Sequence, residues 1–273
     1  MAIDRPTIEQ YLASMGAAGH RICEIDASEA GAGNISICLD ELPRVRQLFP
    51  ISARIELPLA APALAGRTLL VTGSGRRLRQ IAENPLAAIA AVVVDADGVG
   101  AEMLSSPQRQ FDALTSEFNS HLAVHDDQVG RRGLDFHAVV HAQPPHLTYL
   151  SHVPTYRDTE TMNRRILRWE PESIVALRDG IGVLEFMVPG SAELMAANVQ
   201  GLREHEIVLW SKHGVMARSD LSVTRAVDRV EYAETGAKYE YMNLTAGGHG
   251  EGLSTDEIRA VADAFGVTSR WVS

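Results

Sequence analysis

HAVVHAQ at residues 137–143 and IVLWSKHG at residues 207–214 are short apolar runs that each close on a histidine, His141 and His213. Their Val, Ile and Leu content reads as strand, and the carboxyl end of a sheet strand is a common place for functional side chains. A third segment, TSEF at 115–118, opens a helix and carries Glu117 in its first turn. Two imidazoles at strand mouths and one carboxylate at a helix start can converge on a single divalent cation. That combination points to a metal-assisted enzyme.

Outward from these strands, the chain alternates β-type and helical periodicity. Ile8, Leu12 and Met15 recur at helical spacing behind Pro6-Thr7, whereas Ile35, Ile37 and Leu39 alternate with Ser36 and Cys38 as a half-buried strand does. TLLVT (68–72), AAVVVDA (90–96), HAVVHA, the pair SIVAL (173–177) and GVLEF (182–186), and EIVLW (206–210) read as further strands. Helices are expected from Thr115 to about Val129, from Val223 to Met242, and from Thr255 to Phe265 with Thr255 as the cap. The Pro-bearing stretch 154–172 reads as an irregular surface excursion. The pattern is that of an α/β protein, with residues 1–273 as one domain.

Composition bounds the function. With 273 residues, 45% hydrophobic, and no apolar run near membrane-spanning length, the chain can bury a sizeable core and is expected to be soluble. The opening MAIDRPTIEQ has no basic region followed by an apolar one, so a cytoplasmic location is expected. Cys23 and Cys38 are too few for a disulfide framework and read as reduced. A formal charge of −10 disfavours a nucleic-acid interface. Arg76, Arg77 and Arg79 form a local basic group suited to a small anion.

The candidate site residues each have a plainer structural reading. GAGNIS (31–36) and TGSGRR (72–77) are small-residue turns at strand ends whose backbone N–H groups can cradle a phosphate; neither is a nucleotide fingerprint, and such turns are usually only turns. Thr115, Ser116 and Glu117 are an ordinary helix start, yet they also set a carboxylate where a general acid or base is useful. His141 and Gln143 leave one face of a strand, but Gln is an uncommon zinc ligand. His146 follows Pro144-Pro145 and could ligate or simply hydrogen-bond nearby. Glu170, before Pro171, reads as a solvated loop carboxylate or as a second acid/base partner of Glu117.

Taken in order, GNIS, VTGSG, VDADG, TSEF, VVHA, RWE, DGIGVLEFMVPG (179–190) and IVLWSKHGV resemble the rhamnulose-1-phosphate aldolases of the class II aldolase and adducin superfamily. The resemblance runs from about residue 25 to the end. It implies an α/β/α fold with a central, largely antiparallel sheet, a homotetramer, and an active site with zinc at a subunit boundary. It also assigns His141 and His213 as metal ligands, Gln143 at the position of the family's remaining histidine, Glu117 as the catalytic glutamate and Glu170 as the second one. The phosphate positions fall on Gly33, Asn34, Ser74, Gly75, Thr115 and Ser116, with Arg76 as the basic residue; Gly31 replaces an asparagine. A histidine at the place of His146 is often not a metal ligand in the superfamily.

The implied activity is cleavage of a ketose 1-phosphate to glycerone phosphate and an aldehyde such as lactaldehyde, with the divalent ion as Lewis acid and Glu117 moving the proton at C3. The amide of Gln143 leaves manganese or cobalt as alternatives to zinc. Two other readings stay open: a sugar-phosphate epimerase or dehydratase on the same scaffold, and a metal-free adducin-like binding module. No nucleic acid or membrane partner is implied.

Overall fold

Reciprocal capping opens the first helix. The Thr7 side chain accepts from the Gln10 backbone N–H, and the Gln10 side chain accepts from Thr7 N–H at 2.7 Å. The computed structural model describes residues 6–272; residues 1–5, part of the opening read above for a leader, lie outside them. In chain order the elements are α1 (Ile8–Glu24), β1 (Asn34–Leu39), α2 (Val45–Leu48), β2 (Ile51–Glu56), β3 (Thr68–Thr72), α3 (Pro85–Ala88), β4 (Ile89–Val94) and β5 (Gly100–Ser105). There follow α4 (Phe118–Arg132), β6 (Phe136–Ala142), α5 (Pro145–Leu150), α6 (Thr159–Ile166), α7 (Ser173–Ala176), β7 (Ile181–Leu184), α8 (Ala192–Glu204), β8 (Ile207–Trp210), β9 (Gly214–Ser219), α9 (Val223–Thr245) and α10 (Thr255–Phe265).

The strands form one nine-stranded sheet in the order β2-β5-β4-β3-β1-β6-β9-β8-β7. Every neighbouring pair is antiparallel except β7 and β8. Helices cover both faces, which makes this the α/β/α sandwich that the resemblance implied. Ile35, Ile37, Ala138, Val140, Ile207 and Leu209 point to the core beneath α1 and α9. Each fully buried Ile, Leu or Val of this kind contributes about 1.5–3 kcal/mol. The alternate residues of the same strands face α4 and α8, where Val139, Val208, Trp210 and Met216 pack with Val124 and Leu194.

That two-residue alternation positions the chemistry. On β6 it turns His137, Val139 and His141 to the α4 side, and the pairing of β1 with β6 sets Asn34 opposite His141. A slip of one residue would turn His141 into the apolar core beneath α9.

Several local expectations are corrected. SIVAL is not a strand: residues Ser173–Ala176 form α7, and the parallel partner of β8 is β7 alone. A four- or five-residue apolar run carries no decisive period, and here Ser173 and Ile174 are buried as a helical turn. The 154–172 stretch is not irregular throughout, because Asp158 caps α6 through Thr161 N–H and Met162, Asn163 and Ile166 are buried. The cap of α10 is Ser254, one residue earlier than Thr255, and it forms a capping box with Glu257. Helix α4 begins at Phe118 and extends to Arg132. Among the described residues, no helix is long and apolar enough to cross a membrane.

Candidate active site

Glu117 occupies the N-cap of α4 but makes no side-chain cap bond, which leaves its carboxylate free to face the sheet. It meets the ends of β6 and β8 there. His141 Nε2 lies 3.5 Å from Glu117 Oε2, and His213 Nε2 lies 3.7 Å from Glu117 Oε1. One ligand atom from each of the three residues falls within 4.8 Å of the other two. A tetrahedral ion with bonds of about 2.1 Å keeps its ligand atoms about 3.4 Å apart, so this set fits a small divalent cation.

The imidazoles are oriented by their surroundings. His141 Nδ1 donates to Val215 O at 2.8 Å, which fixes the tautomer that leaves Nε2 bare for a cation. Its ring stacks on Trp210 at 4.7 Å between centroids, and Trp210 is itself fixed by its Nε1–H to Asn198 Oδ1 bond of 2.9 Å. His213 leads directly into Gly214, where a Cβ would stand 2.5 Å from Ala142 O and 3.0 Å from Gln143 Cγ; only glycine lets β9 approach β6 this closely. Burial and the neighbouring His141 push His213 below the usual imidazole range. Glu117 is also buried, which acts to raise its carboxyl, but His141, the Asn34 hydrogen bond and His213 outweigh this and hold it below the ordinary value.

Gln143 lines the same cavity as these three residues. Its backbone N–H bonds to Ala27 O at 2.8 Å, and the Glu29 carboxylate beside its side chain assigns the amide the orientation in which its nitrogen donates to Glu29 at 3.2 Å. Glu29 thereby takes up the N–H₂ end and leaves the amide oxygen as the end available to a cation. His146 is not part of the cluster: its Nδ1 pairs with Glu234, whose other oxygen accepts Leu147 N–H at 3.0 Å.

Beside the cluster, a cavity of about 250 Å³ is walled by both small-residue turns and the start of α4. Gly33, Asn34, Ser74, Gly75, Arg76, Thr115 and Ser116 all line it, together with Glu117, His141, Gln143 and His213. Gly33 has φ +85°, and a Cβ there would meet Leu78 at 2.9 Å and His141 O at 3.0 Å. Arg76 sends Nη1 to Gln110, while its buried Nε has no partner among the described residues. A helix N-terminus, two glycine turns and a guanidinium with an unused N–H make an anion cradle. The two halves of the cavity thus suit a cation and an anionic group on one small molecule.

Glu170 does not line this cavity within the same chain. Burial, with Glu172 and Glu231 near it, raises its carboxyl above the usual range. Sequence reasoning missed Glu29, Pro189 at the cavity wall, and His121 and His125, which follow Glu117 at four-residue intervals along α4. That i, i+4, i+8 spacing was a visible signal for one helix face. Glu29 carried none, because only the tertiary fold brings it to Gln143.

Residues 13–241 match the family described as Class II Aldolase and Adducin N-terminal domain. The chain is 30% identical over 243 residues to a rhamnulose-1-phosphate aldolase of Escherichia fergusonii, which covers 88% of each sequence. The crystal structure of a sugar-phosphate aldolase from Thermotoga maritima superposes with a TM-score of 0.74 at 29% identity, over 88% of this chain and 97% of that one. An L-fuculose-1-phosphate aldolase from Thermus thermophilus shares the fold, with a TM-score of 0.56 at 18% identity over 89% of this chain and 98% of that one.

Proposed function

We propose that this chain, which belongs to the class II aldolase and adducin family, is a metal-dependent aldolase that cleaves a ketose 1-phosphate similar to rhamnulose 1-phosphate into glycerone phosphate and an aldehyde such as lactaldehyde. The observation that carries the reading is the meeting of Glu117, His141 and His213 within 4.8 Å at the wall of the phosphate cradle. His141 and His213, with Gln143 through its amide oxygen, would hold the divalent ion. Zinc fits two imidazoles, and the amide oxygen admits manganese or cobalt. When bound, the ion would supply Lewis-acid polarisation of the ketose C2 carbonyl.

The chain's own residues account for the rest. The turns at Gly33 and at Ser74-Gly75, with Thr115, Ser116 and Arg76, bind the phosphate and set the distance from it to the reacting carbons. Glu117, at the cluster edge of the same cavity, exchanges the proton at C3 of the three-carbon fragment. Cleavage also removes a proton from the C4 hydroxyl. This role is assigned to Glu170, whose raised carboxyl suits proton exchange, or to a residue of a neighbouring subunit.

The test is elemental analysis of the purified protein followed by an aldolase assay with ketose 1-phosphates. About one metal per chain, lost in His213→Ala, together with release of glycerone phosphate, supports the proposal. A phosphorylated product of unchanged carbon count would indicate an epimerase or dehydratase instead. A protein that cannot be loaded with metal unless Gln143 is changed to His would favour the metal-free binding module.

A further inference from the structure

The Glu117 carboxylate is the end of a longer polar chain that crosses from the site into the layer between α4 and the sheet. Asn34 Nδ2 donates to Glu117 Oε2 at 2.8 Å, and Asn34 Oδ1 is hydrogen-bonded to His121 Nε2. His121 Nδ1 lies 2.6 Å from Ser36 Oγ, and the same oxygen lies 2.7 Å from His125 Nε2. His125 Nδ1 then lies 2.8 Å from His137 Nδ1. Ser36 and the three histidines are fully buried. The periodicities that build this chain are those of the fold itself: Glu117, His121 and His125 share one face of α4, and Asn34, Ser36 and His137 are strand residues that point to it.

Burial pushes His121 down to about 3 and holds His125 and His137 well below the usual imidazole range. Each ring is therefore neutral, with one donor and one acceptor nitrogen. With Asn34 Nδ2 donating to Glu117 Oε2, one arrangement of protons satisfies every link. Asn34 gives the carboxylate its N–H₂ end and turns Oδ1 to His121. His121 must then donate from Nε2, which leaves Nδ1 to accept the Ser36 hydroxyl proton. Ser36 Oγ accepts from His125 Nε2–H, and the bare His125 Nδ1 accepts from His137 Nδ1–H. His137 Nε2 is left as an acceptor without a donor, and among the described residues this buried atom has no partner.

We infer that His137, His125, Ser36 and His121 are positioning residues: a one-way series of donors that locks the Asn34 amide and so aims the Glu117 carboxylate at His141 and His213. All five bonds point the same way, so each polarises the next toward the carboxylate. An Asn34 amide without this series is free to present its carbonyl to Glu117, which repels the carboxylate and turns it from the cavity. The inference rests on Glu117 as the proton-exchanging group of the proposed aldolase.

The experiment is nitrogen-15 NMR of the histidine-labelled full-length protein at pH 7.5, with aldolase kinetics of Ser36→Ala. In the wild type, His121 and His125 should appear as Nε2–H tautomers and His137 as Nδ1–H. An Nδ1–H tautomer at His121, or rings that exchange between tautomers, overturns the inference. In Ser36→Ala the His121 ring should lose its single tautomer, with kcat lowered about tenfold and KM within about twofold. A variant that loses the tautomer pattern yet keeps wild-type kcat also overturns it. Absence of aldolase turnover in the wild type defeats the proposed reaction alone, because the tautomers report on the chain directly.

Discussion

Acidification from pH 7.5 to 5.5 should remove a large part of the stability of this fold, and three histidines set the amount. His121, His125 and His137 are fully buried and neutral when folded, with His137 further disfavoured as a cation by Arg218 and Arg132. In the unfolded chain each returns to about 6.5. Above that value the ring is neutral in both states and costs nothing. As pH falls below it, the unfolded state binds protons that the folded state refuses, so stability declines until the folded values are reached. At pH 5.5 each ring contributes a loss of about 1.4 kcal/mol, and the three together about 4 kcal/mol, a sizeable share of a typical 5–15 kcal/mol. His205 and His213, also lowered, act in the same direction, whereas Glu234, raised by burial, acts against it. Carboxylates held low, such as Glu102 at about 2 beside Arg46, join only in more acid solution. Urea unfolding followed by tryptophan fluorescence at fixed chain concentration measures the change. A loss below about 1 kcal/mol between pH 7.5 and 5.5 would refute the neutral buried triad.

Further outcomes follow from the site. Glu117→Gln should lower kcat about a hundredfold to ten-thousandfold with little change in the urea midpoint, read by the aldolase assay. Arg76→Ala should raise KM about tenfold to a hundredfold by removing a charged phosphate contact, and leave kcat nearly unchanged. Gln143→His should tighten cobalt binding about tenfold or more, and Glu29→Ala should weaken it in the wild-type background, both measured against a competing chelator. Gly214→Ala, whose Cβ would stand 2.5 Å from Ala142 O, should cost about 1–3 kcal/mol in urea unfolding and reduce cobalt uptake.

Much of this arrangement was legible in the chain. The strand endings at His141 and His213, the helix start at Glu117 and the two glycine turns were read from local pattern, because periodicity and turn chemistry act over a few residues. All of the candidate phosphate residues and Gln143 line one cavity. Local pattern failed where it carried no period: SIVAL is a helical turn, and 154–172 contains α6. Glu170 lies outside its own chain's cavity, since a loop residue's destination depends on surfaces that sequence does not order.

The residue types and spacings by themselves determined which atoms were available: two imidazoles at strand ends, a carboxylate on a helix, and small turns for an anion. Only the tertiary structure decided which atoms face which. The antiparallel register of β1 and β6 set Asn34 beside His141, and α4 packed across the sheet to join His121 and His125 to Ser36 and His137. Residues 83 to 89 positions apart are brought to hydrogen-bond distance there. Hydrogen bonds and ion contacts act over a few ångströms, and a sequence does not contain such distances until its apolar faces have closed on one another.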